Sequence, residues 1–295
     1  MKVLVTGGSG FIGSHIVDAL LLSGHEVVVF DRQRSQHILD TVDVETVFIE
    51  GDITDGNAVN KAAKGCDVIY HFAAIADIEE ASTQPVKTFQ INVMGTLNVL
   101  EAARINSVSR FVFASSIYVY SNQGAFYKTS KRACEQLIED YHSEFKIDYT
   151  ILRFGSLYGP RAGKTNAVYQ MIKQALETKS ITYKGTGNES REYIHASDGA
   201  AAAIEMLKPE FENKIIHLTG HERITTRDMM EMIAEILGSN ISIEVNAGEM
   251  VGHYLQTPYS YTPKLGTKHI QSSYIDIGLG LLDLIQLHDQ EMGNK

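Results

Sequence analysis

The chain has 295 residues, of which 44% are hydrophobic and 21% are charged, so it is long enough to bury a sizeable core in one large domain or two small ones. Its 26 basic and 36 acidic residues give a formal net charge of −10. This balance argues against a nucleic-acid partner, because neutralising phosphates requires a basic face.

The sequence gives no sign of metal, disulfide or membrane chemistry. The two cysteines, Cys66 and Cys134, lie outside any CxxC pattern, and the histidines form no HExxH motif. No apolar run approaches the roughly 20 residues that span a bilayer. The N-terminal residues Met1–Val5 enter a strand directly, without a signal-peptide core. We therefore expect a cytoplasmic protein with no metal site and no membrane partner.

The first 150 residues alternate short apolar runs with segments of helical length. The predicted strands are Val3–Val5, Val27–Phe30, Val47–Ile49, Val68–Phe72, Phe111–Ala114 and Tyr149–Leu152. The predicted helices include Gly13–Leu22, Pro85–Ile105 and Tyr127–Phe145. This alternation predicts an α/β fold of the Rossmann type, a doubly wound parallel sheet with helices on both faces.

A glycine-rich turn, Thr6–Gly13, joins the first predicted strand to the first helix. Glycine permits a tight turn and a close approach of backbone to a pyrophosphate, and the helix N-terminus supplies N–H groups with partial positive charge. Asp31 ends the next strand, where an acid accepts hydrogen bonds from an adenosine ribose. Its charge would repel a 2′-phosphate, so NAD is the predicted cofactor, and Arg32 keeps NADP open as an alternative. The residues predicted to bind the cofactor here are Gly7, Gly10, Phe11, Ile12, Gly13, Asp31 and Arg32.

A candidate acid–base pair, Tyr127 and Lys131, lies eleven residues beyond Ser116. A free tyrosine has a pKa near 10, and a nearby ammonium together with a nicotinamide cation is expected to lower it. Tyr127 could then remove a hydroxyl proton, while Ser116 hydrogen-bonds the reacting oxygen. The chain contains a second Tyr-x-x-x-Lys pair at Tyr169 and Lys173, which has no such serine and is assigned to structure.

The alternation breaks at the loop Tyr158–Lys164, and the second half mixes helices with isolated strands. Ile215–Leu218 is predicted to return to the main sheet, and Thr225–Asp228 has the capping-box spacing ahead of a helix at Met229–Leu237. We predict an NAD-binding Rossmann domain at residues 1–164, rejoined by 193–221, and a smaller C-terminal substrate-binding lobe at 165–192 and 222–295.

Five segments resemble, in their order, those of extended short-chain dehydrogenases/reductases. They are Thr6–Gly13, Gly51-Asp52-Ile53, His71-Phe72-Ala73-Ala74, Ser115–Tyr120 and Tyr127-x-x-x-Lys131. The resemblance covers nearly the whole chain and is closest to NAD-dependent nucleotide-sugar epimerases/dehydratases of the UDP-glucose 4-epimerase type. It implies catalytic roles for Ser116, Tyr127 and Lys131, with Lys131 also holding the nicotinamide ribose.

The same resemblance implies further cofactor contacts. Asp52 and Ile53 match positions that contact adenine, although Asp52 also fits a simple Asx turn. Phe72, Ala73 and Ala74 match a turn that lines the cofactor, although an ordinary apolar strand end has the same composition.

The resemblance also implies a nucleotide-sugar substrate. Leu152–Arg161 is similar to the family's LRxxNxYGP segment, with Ser156 where asparagine is usual. Gly185–Asp198 is similar to the stretch whose arginine grips the diphosphate, which assigns that role to Arg191. Asn166 matches an asparagine that caps the diphosphate. The predicted substrate-binding residues are Ser116, Tyr127, Ser156, Asn166 and Arg191.

These observations favour an epimerase that oxidises a sugar carbon transiently, with C4 as the expected position. The alternatives are an NAD(P)H-dependent reductase or dehydrogenase, a dehydratase, and a non-catalytic NAD-sensing scaffold. A dehydratase is disfavoured because Ile117 and Tyr118 follow Ser116, where the resembled dehydratases carry an Asp-Glu pair. The scaffold is disfavoured because Ser116, Tyr127 and Lys131 are all present.

A homodimer is also expected. In the resembled family, the helices matching Pro85–Ile105 and Tyr127–Phe145 pair across a two-fold axis into a four-helix bundle. Those segments carry apolar residues beyond the requirement of one core face, namely Val99, Leu100, Leu137 and Ile138.

Overall fold

The structure is a computed structural model that describes residues 1–35, 46–238, 240–246, 248 and 252–259. A parallel sheet of seven strands forms its centre. From one edge to the other, these strands are β10 (Lys214–Leu218), β6 (Asp148–Phe154), β5 (Arg110–Ser116), β4 (Val68–His71), β1 (Lys2–Thr6), β2 (Glu26–Asp31) and β3 (Val47–Glu50). All neighbouring pairs are parallel, so their carboxyl ends meet at one end of the sheet, where ligands bind in open α/β folds.

Helices cover both faces of this sheet, and the predicted Rossmann-type fold is confirmed. The covering helices are α1 (Phe11–Leu22), α2 (Gly56–Ala62), α5 (Gly95–Ile105), α6 (Ala125–Phe145) and α8 (Ala196–Glu205). Successive side chains of a strand point to opposite faces. On β1, Leu4 joins the core under α2, α5 and α6, whereas Val3 and Val5 join the core under α1 and α8. Burial on both faces explains why the strands read as continuous apolar runs rather than alternating ones.

The predicted single helix Pro85–Ile105 is wrong in detail, because a π-helical turn interrupts it. Helix α3 (Ile78–Thr83) is followed by α4 (Pro85–Phe89), the π-helical turn Gln90–Met94, and then α5. Asn92 in that turn is buried, and its Nδ2 donates to the carbonyl of Ile75 at 3.0 Å and to Ser130 Oγ at 2.9 Å. The wider turn therefore coincides with a side chain that bonds to two neighbouring segments.

The apolar residues that suggested a dimer face are part of the chain's own core. Val99, Leu100 and Ile138 are each no more than 1% exposed, and Leu137 packs partly buried against the same cluster. These residues lie between the sheet and the helices α5 and α6, which pack on the same face of it. The argument for a partner from these four residues was therefore wrong.

The second half of the chain adds two small sheets. The first contains β11 (Arg223–Thr225), β9 (Ser190–His195) and β7 (Ser156–Tyr158), and the second pairs β12 (Ser242–Asn246) with β8 (Ser180–Lys184). Helices α7 (Ala167–Thr178) and α9 (Thr226–Ile236) share an apolar core with β8. None of the described helices has the length and apolarity needed to cross a membrane.

Two local predictions in this half are confirmed. Strand β10 pairs with β6 in the main sheet, as expected for Ile215–Leu218. The capping box of α9 is formed by Thr225 and Asp228, each accepting a hydrogen bond from the other's backbone nitrogen. The boundaries of the two predicted lobes stay a prediction, and residues 260–295 of the C-terminal lobe lie outside the described residues.

Candidate active site

The glycine-rich turn between β1 and α1 has the shape that a dinucleotide pyrophosphate requires. Gly7 has a φ of +72°, and a Cβ atom there would lie 2.5 Å from the backbone nitrogen of Ala73. A Cβ atom on Gly13 would lie 2.0 Å from the carbonyl oxygen of Gly7. Phe11 and Ile12 open α1, whose first turn carries no acidic residue and whose first N–H groups have no partner within the helix. The turn therefore excludes side chains and favours an anion.

A cavity of about 590 Å³ extends from this turn past the carboxyl ends of the strands. It brings together the predicted cofactor residues Gly7, Gly10, Asp31, Arg32, Asp52, Ile53, Phe72, Ala73 and Ala74. The sequence reasoning missed Ser9 and Arg34, which line the same cavity. Its volume and its position at the glycine turn fit a dinucleotide such as NAD.

Two aspartates line this cavity, Asp31 and Asp52. Asp31 Oδ2 accepts a hydrogen bond from the backbone nitrogen of Ser9 at 2.9 Å, and Oδ1 accepts one from that of Arg32 at 2.7 Å. Asp52 Oδ1 accepts from the backbone nitrogen of Thr54 at 2.9 Å, which is the Asx turn left open above. Asp52 lines the cavity as well, so its turn-forming and adenine-facing roles are compatible.

Ser116, Tyr127 and Lys131 converge where β5 meets the first turns of α6. Ser116 ends β5, and its hydroxyl lies close enough to the Tyr127 hydroxyl to lower the pKa of that phenol. Lys131 Nζ donates to the carbonyl of Ala114 at 2.7 Å and lies 5.9 Å from the centre of the Tyr127 ring. All three side chains are buried. The structure therefore brings together the three residues that the spacing and the resemblance selected.

The pKa of Tyr127 differs from the value expected from the sequence. Burial raises the pKa of Tyr127 to about 12, and the hydrogen bond from Ser116 opposes that shift without overcoming it. Burial lowers the pKa of Lys131 to about 8, against the opposing influence of Cys134 and Glu135. Lys131 is not among the main groups that shift the pKa of Tyr127, and desolvation dominates that shift.

A second cavity of about 280 Å³ lies on the other side of the segment that follows β4. Ala74 and Ile75 line the first cavity, and Ala76, Asp77 and Ile78 line the second. The predicted substrate residues Ser156, Asn166 and Arg191 all face this second cavity. One short stretch of chain therefore separates a cofactor side from a candidate sugar side.

Asn166 and Arg191 already have partners in this cleft. Asn166 is the N-cap of α7: its Oδ1 accepts from the backbone nitrogen of Tyr169 at 3.1 Å, and its Nδ2 donates to the carbonyl of Leu157 at 2.7 Å. Arg191 is buried, stacks on the ring of Tyr254, and donates through Nη1 to the Tyr254 carbonyl at 2.9 Å. Asn166 thus aims the N-terminus of α7 at the cleft, and Arg191 supplies its guanidinium there.

Sequence reasoning missed a phenol–imidazole pair beside the trio. The Tyr118 hydroxyl and His253 Nδ1 share a hydrogen bond of 2.8 Å, and the Tyr118 ring lies edge-on to Tyr127. Burial lowers the pKa of His253 and raises that of Tyr118, so both groups are neutral at neutral pH. In the sequence, Tyr118 stands where the resembled dehydratases carry an acidic residue. Nothing in the sequence indicates that it contacts His253.

A dinucleotide site beside a Ser–Tyr–Lys centre defines the class of NAD-dependent enzymes that move hydrogen at a carbon bearing a hydroxyl group. Comparison with known proteins specifies the family. The model of the NAD dependent epimerase/dehydratase family matches residues 3–218. This chain belongs to that family, and NAD is its cofactor.

The relatives differ in reaction. An uncharacterised UDP-glucose epimerase of Bacillus subtilis is 30% identical over 84% of this chain and 87% of its own length. A dTDP-glucose 4,6-dehydratase of Streptomyces niveus is 27% identical over 97% of this chain and 92% of its own. Among solved structures, the UDP-glucose 4-epimerase of Thermus thermophilus with NAD superposes with a TM-score of 0.77 at 28% identity, covering 90% of this chain and 95% of that one.

Proposed function

We propose that this protein is an epimerase of a nucleotide-activated sugar that oxidises one sugar carbon transiently, expected at C4. The convergence of Ser116, Tyr127 and Lys131 at the end of β5 carries the proposal, because it gathers a hydroxyl, a phenol and an ammonium at the same end of the sheet as the first cavity. Ile117 and Tyr118 follow Ser116, so the two positions after Ser116 carry no carboxylate. Reversible oxidation at one carbon requires no further acid or base.

Each member of the trio has a role in proton transfer. Tyr127 removes the proton of the sugar hydroxyl and returns it at the end of the cycle. Ser116 hydrogen-bonds the reacting oxygen and opposes the rise in the Tyr127 pKa. Lys131 holds the nicotinamide ribose, and its bond to the Ala114 carbonyl fixes the ammonium at the end of β5. When bound, the oxidised nicotinamide supplies the hydride acceptor and a positive charge beside the phenol.

Substrate binding is assigned to the second cavity. The Arg191 guanidinium and the N-terminus of α7, which Asn166 caps, are suited to the two phosphates of a nucleotide sugar. Ser156 lies in the same wall and is suited to a sugar hydroxyl.

Product analysis tests this proposal. The purified protein is incubated with a panel of nucleotide hexoses and catalytic NAD⁺, and the products are identified by mass spectrometry and NMR. An epimer of unchanged mass without net consumption of NAD⁺ is the expected result. Stoichiometric conversion of the cofactor would show a dehydrogenase or reductase instead.

A dehydratase is the second candidate, and the Tyr118–His253 pair favours it. A 4,6-dehydratase needs an additional acid and base near the sugar, and this neutral pair lines the cleft next to Tyr127. In the same product analysis, a compound lighter by one water with no epimer would select this reaction. Tyr118→Phe would then abolish water loss, whereas an epimerase should retain turnover in that variant.

We also propose a homodimer. Helices α5 and α6 and the segment before α5 carry exposed apolar residues, namely Val86, Met94, Ile105, Phe126 and Phe145. An isologous contact through these helices would remove them from water. Light scattering at micromolar concentration should give the mass of two chains, and the mass of one chain would refute the dimer.

A further inference from the structure

Glu135 is a buried carboxylate on α6 that the proposed reaction does not use. It lies one helical turn beyond Lys131 and is 7% exposed. Its Oε1 accepts hydrogen bonds from Ser115 Oγ at 2.5 Å and from Arg153 Nε at 2.9 Å, and its Oε2 accepts one from Arg153 Nη2 at 2.6 Å. The carboxylate therefore ties α6 to β5 through Ser115 and to β6 through Arg153.

Stability gives little reason for an ion pair at this place. The other buried side chains of α6 nearby, Cys134 and Ile138, belong to an apolar core. A buried ion pair gains little over well-packed apolar side chains, because desolvation offsets the attraction. Burial alone would lower the pKa of Arg153, but its hydrogen bonds with Glu135 outweigh burial and raise it. The pair is thus a hydrogen-bonded connection between three elements.

The hydrogen bonds of Glu135 lie next to the Ser116, Tyr127 and Lys131 trio. Ser115 directly precedes Ser116 on β5, and Glu135 follows Lys131 by four residues on α6. Lys131 itself bonds to the carbonyl of Ala114 at 2.7 Å. The helix and the strand end are therefore joined at two successive turns, once through Lys131 and once through Glu135.

We propose that Glu135 is a positioning residue, which holds α6 in register with the end of β5 so that Ser116, Tyr127 and Lys131 converge. Arg153 neutralises the carboxylate and fixes its orientation through two parallel hydrogen bonds. This role rests on the proposed function, since it concerns the geometry of that trio. Losing one of two fixed points would let α6 slide by a fraction of a turn, and a misplacement of about 1 Å can cost about 10²-fold in rate.

Glu135 also has an electrostatic consequence for Lys131. The titratable groups that face Lys131 are Tyr127, Cys134 and Glu135 on its own helix and His71 on β4. Burial lowers the pKa of His71 to about 3 and raises that of Cys134, so neither is charged at neutral pH. The negative charge of Glu135 raises the pKa of Lys131. Without that charge, Lys131 should lose its proton at lower pH. The alkaline limb of the pH–activity profile should then shift to lower pH.

The test compares two carboxylate-to-amide variants in the full-length protein. Glu101 of α5 is the matched control: it also bonds to an arginine and a hydroxyl, Arg104 at 2.8 Å and Tyr141 at 2.6 Å, but it meets α6 ten residues beyond Lys131. For Glu135→Gln we expect kcat to fall by about 10- to 100-fold, KM to change little, and the alkaline limb to shift to lower pH. For Glu101→Gln we expect kcat within about two-fold of wild type and an unmoved profile.

Three outcomes decide the matter. Equal kcat values and equal pH profiles for the two variants would overturn the positioning role, even with an active wild type. Inactivity of the wild type on every nucleotide sugar would instead refute the proposed function. If Glu135→Gln does not fold, judged by circular dichroism, Ser115→Ala removes one hydrogen bond while keeping the ion pair. That variant should lower kcat by about 10-fold, and an unchanged kcat would overturn the proposal.

Discussion

The cofactor side and the candidate sugar side of this molecule are built by different means. On the cofactor side, the turn, the first helix and Asp31 come from one continuous βαβ unit within 31 residues. On the sugar side, Tyr118 and His253 are 135 residues apart, and Arg191 reaches them from a third segment. The glycine turn of the cofactor side is therefore made of backbone from one continuous segment, whereas the candidate sugar side is lined by side chains that only the tertiary fold brings together.

This difference teaches which substitutions should affect which ligand. Backbone recognition depends on residues whose small size is required, so added atoms should damage it. Side-chain recognition depends on particular polar groups, so removing atoms should damage it. The trio is proposed to contact both ligands, but Tyr127→Phe removes only one hydroxyl group, so both ligands should stay bound in that variant.

The largest effect is expected at the trio. Tyr127→Phe should leave NAD binding and folding nearly intact while turnover drops by about 10²-fold or more, the scale of general acid–base catalysis. Tyr169→Phe is the control, because that tyrosine belongs to the second Tyr-x-x-x-Lys pair and is 38% exposed. Steady-state kinetics provides the measurement, and equal losses in the two variants would contradict the assignment.

A smaller effect is expected on the sugar side. Arg191→Gln removes the charged hydrogen bonds proposed for the diphosphate, which are worth about 1.5–3 kcal/mol. KM for the nucleotide sugar should rise by about 10- to 100-fold, with the NAD dissociation constant unchanged. Arg223→Gln serves as the control, since its exposed side chain pairs with Glu192 on the neighbouring strand. A loss of NAD affinity in Arg191→Gln would break the separation of the two sides.

The reverse experiment enlarges a glycine on the cofactor side. Gly13→Ala would place a methyl group 2.0 Å from the Gly7 carbonyl oxygen, a strain of about 1–3 kcal/mol. We expect the NAD dissociation constant to rise by about 10-fold. Gly163→Ala should change nothing, because no atom lies within 4 Å of a Cβ there. Calorimetry that finds equal affinities in the two variants would show that the turn does not hold the pyrophosphate.

The smallest effect concerns the choice between cofactors. Asp31 should make NAD bind more tightly than NADP, because its carboxylate would repel a 2′-phosphate. Asp31→Ala should narrow that difference by about 3- to 10-fold, as measured by titration of both cofactors. A wild-type protein that prefers NADP would contradict the ribose assignment. It would indicate that Arg32 or Arg34, which line the same cavity, binds the 2′-phosphate.

The two sides also differ in how far the sequence could predict them. The strands, the glycine turn and the α9 capping box each depend on residues close together in the sequence. Periodicity and spacing were therefore sufficient to predict them. Ser116, Tyr127 and Lys131 could be chosen because a strand end and the following helix must meet. The contact between Tyr118 and His253 could not be foreseen, since it depends on the path of the chain over 135 residues. The π-helical turn at Asn92 could not be predicted for the same reason. It coincides with hydrogen bonds from Asn92 to Ile75 and Ser130, which lie in other segments of the chain.

Isotope retention tests the central claim most directly, namely that the hydrogen taken from the sugar is returned to it within one site. A nucleotide hexose carrying deuterium at the carbon to be inverted is incubated with the protein and catalytic NAD⁺. The account predicts an epimer of unchanged mass that keeps its deuterium at that carbon. Loss of the label, or a product lighter by one water, would contradict it.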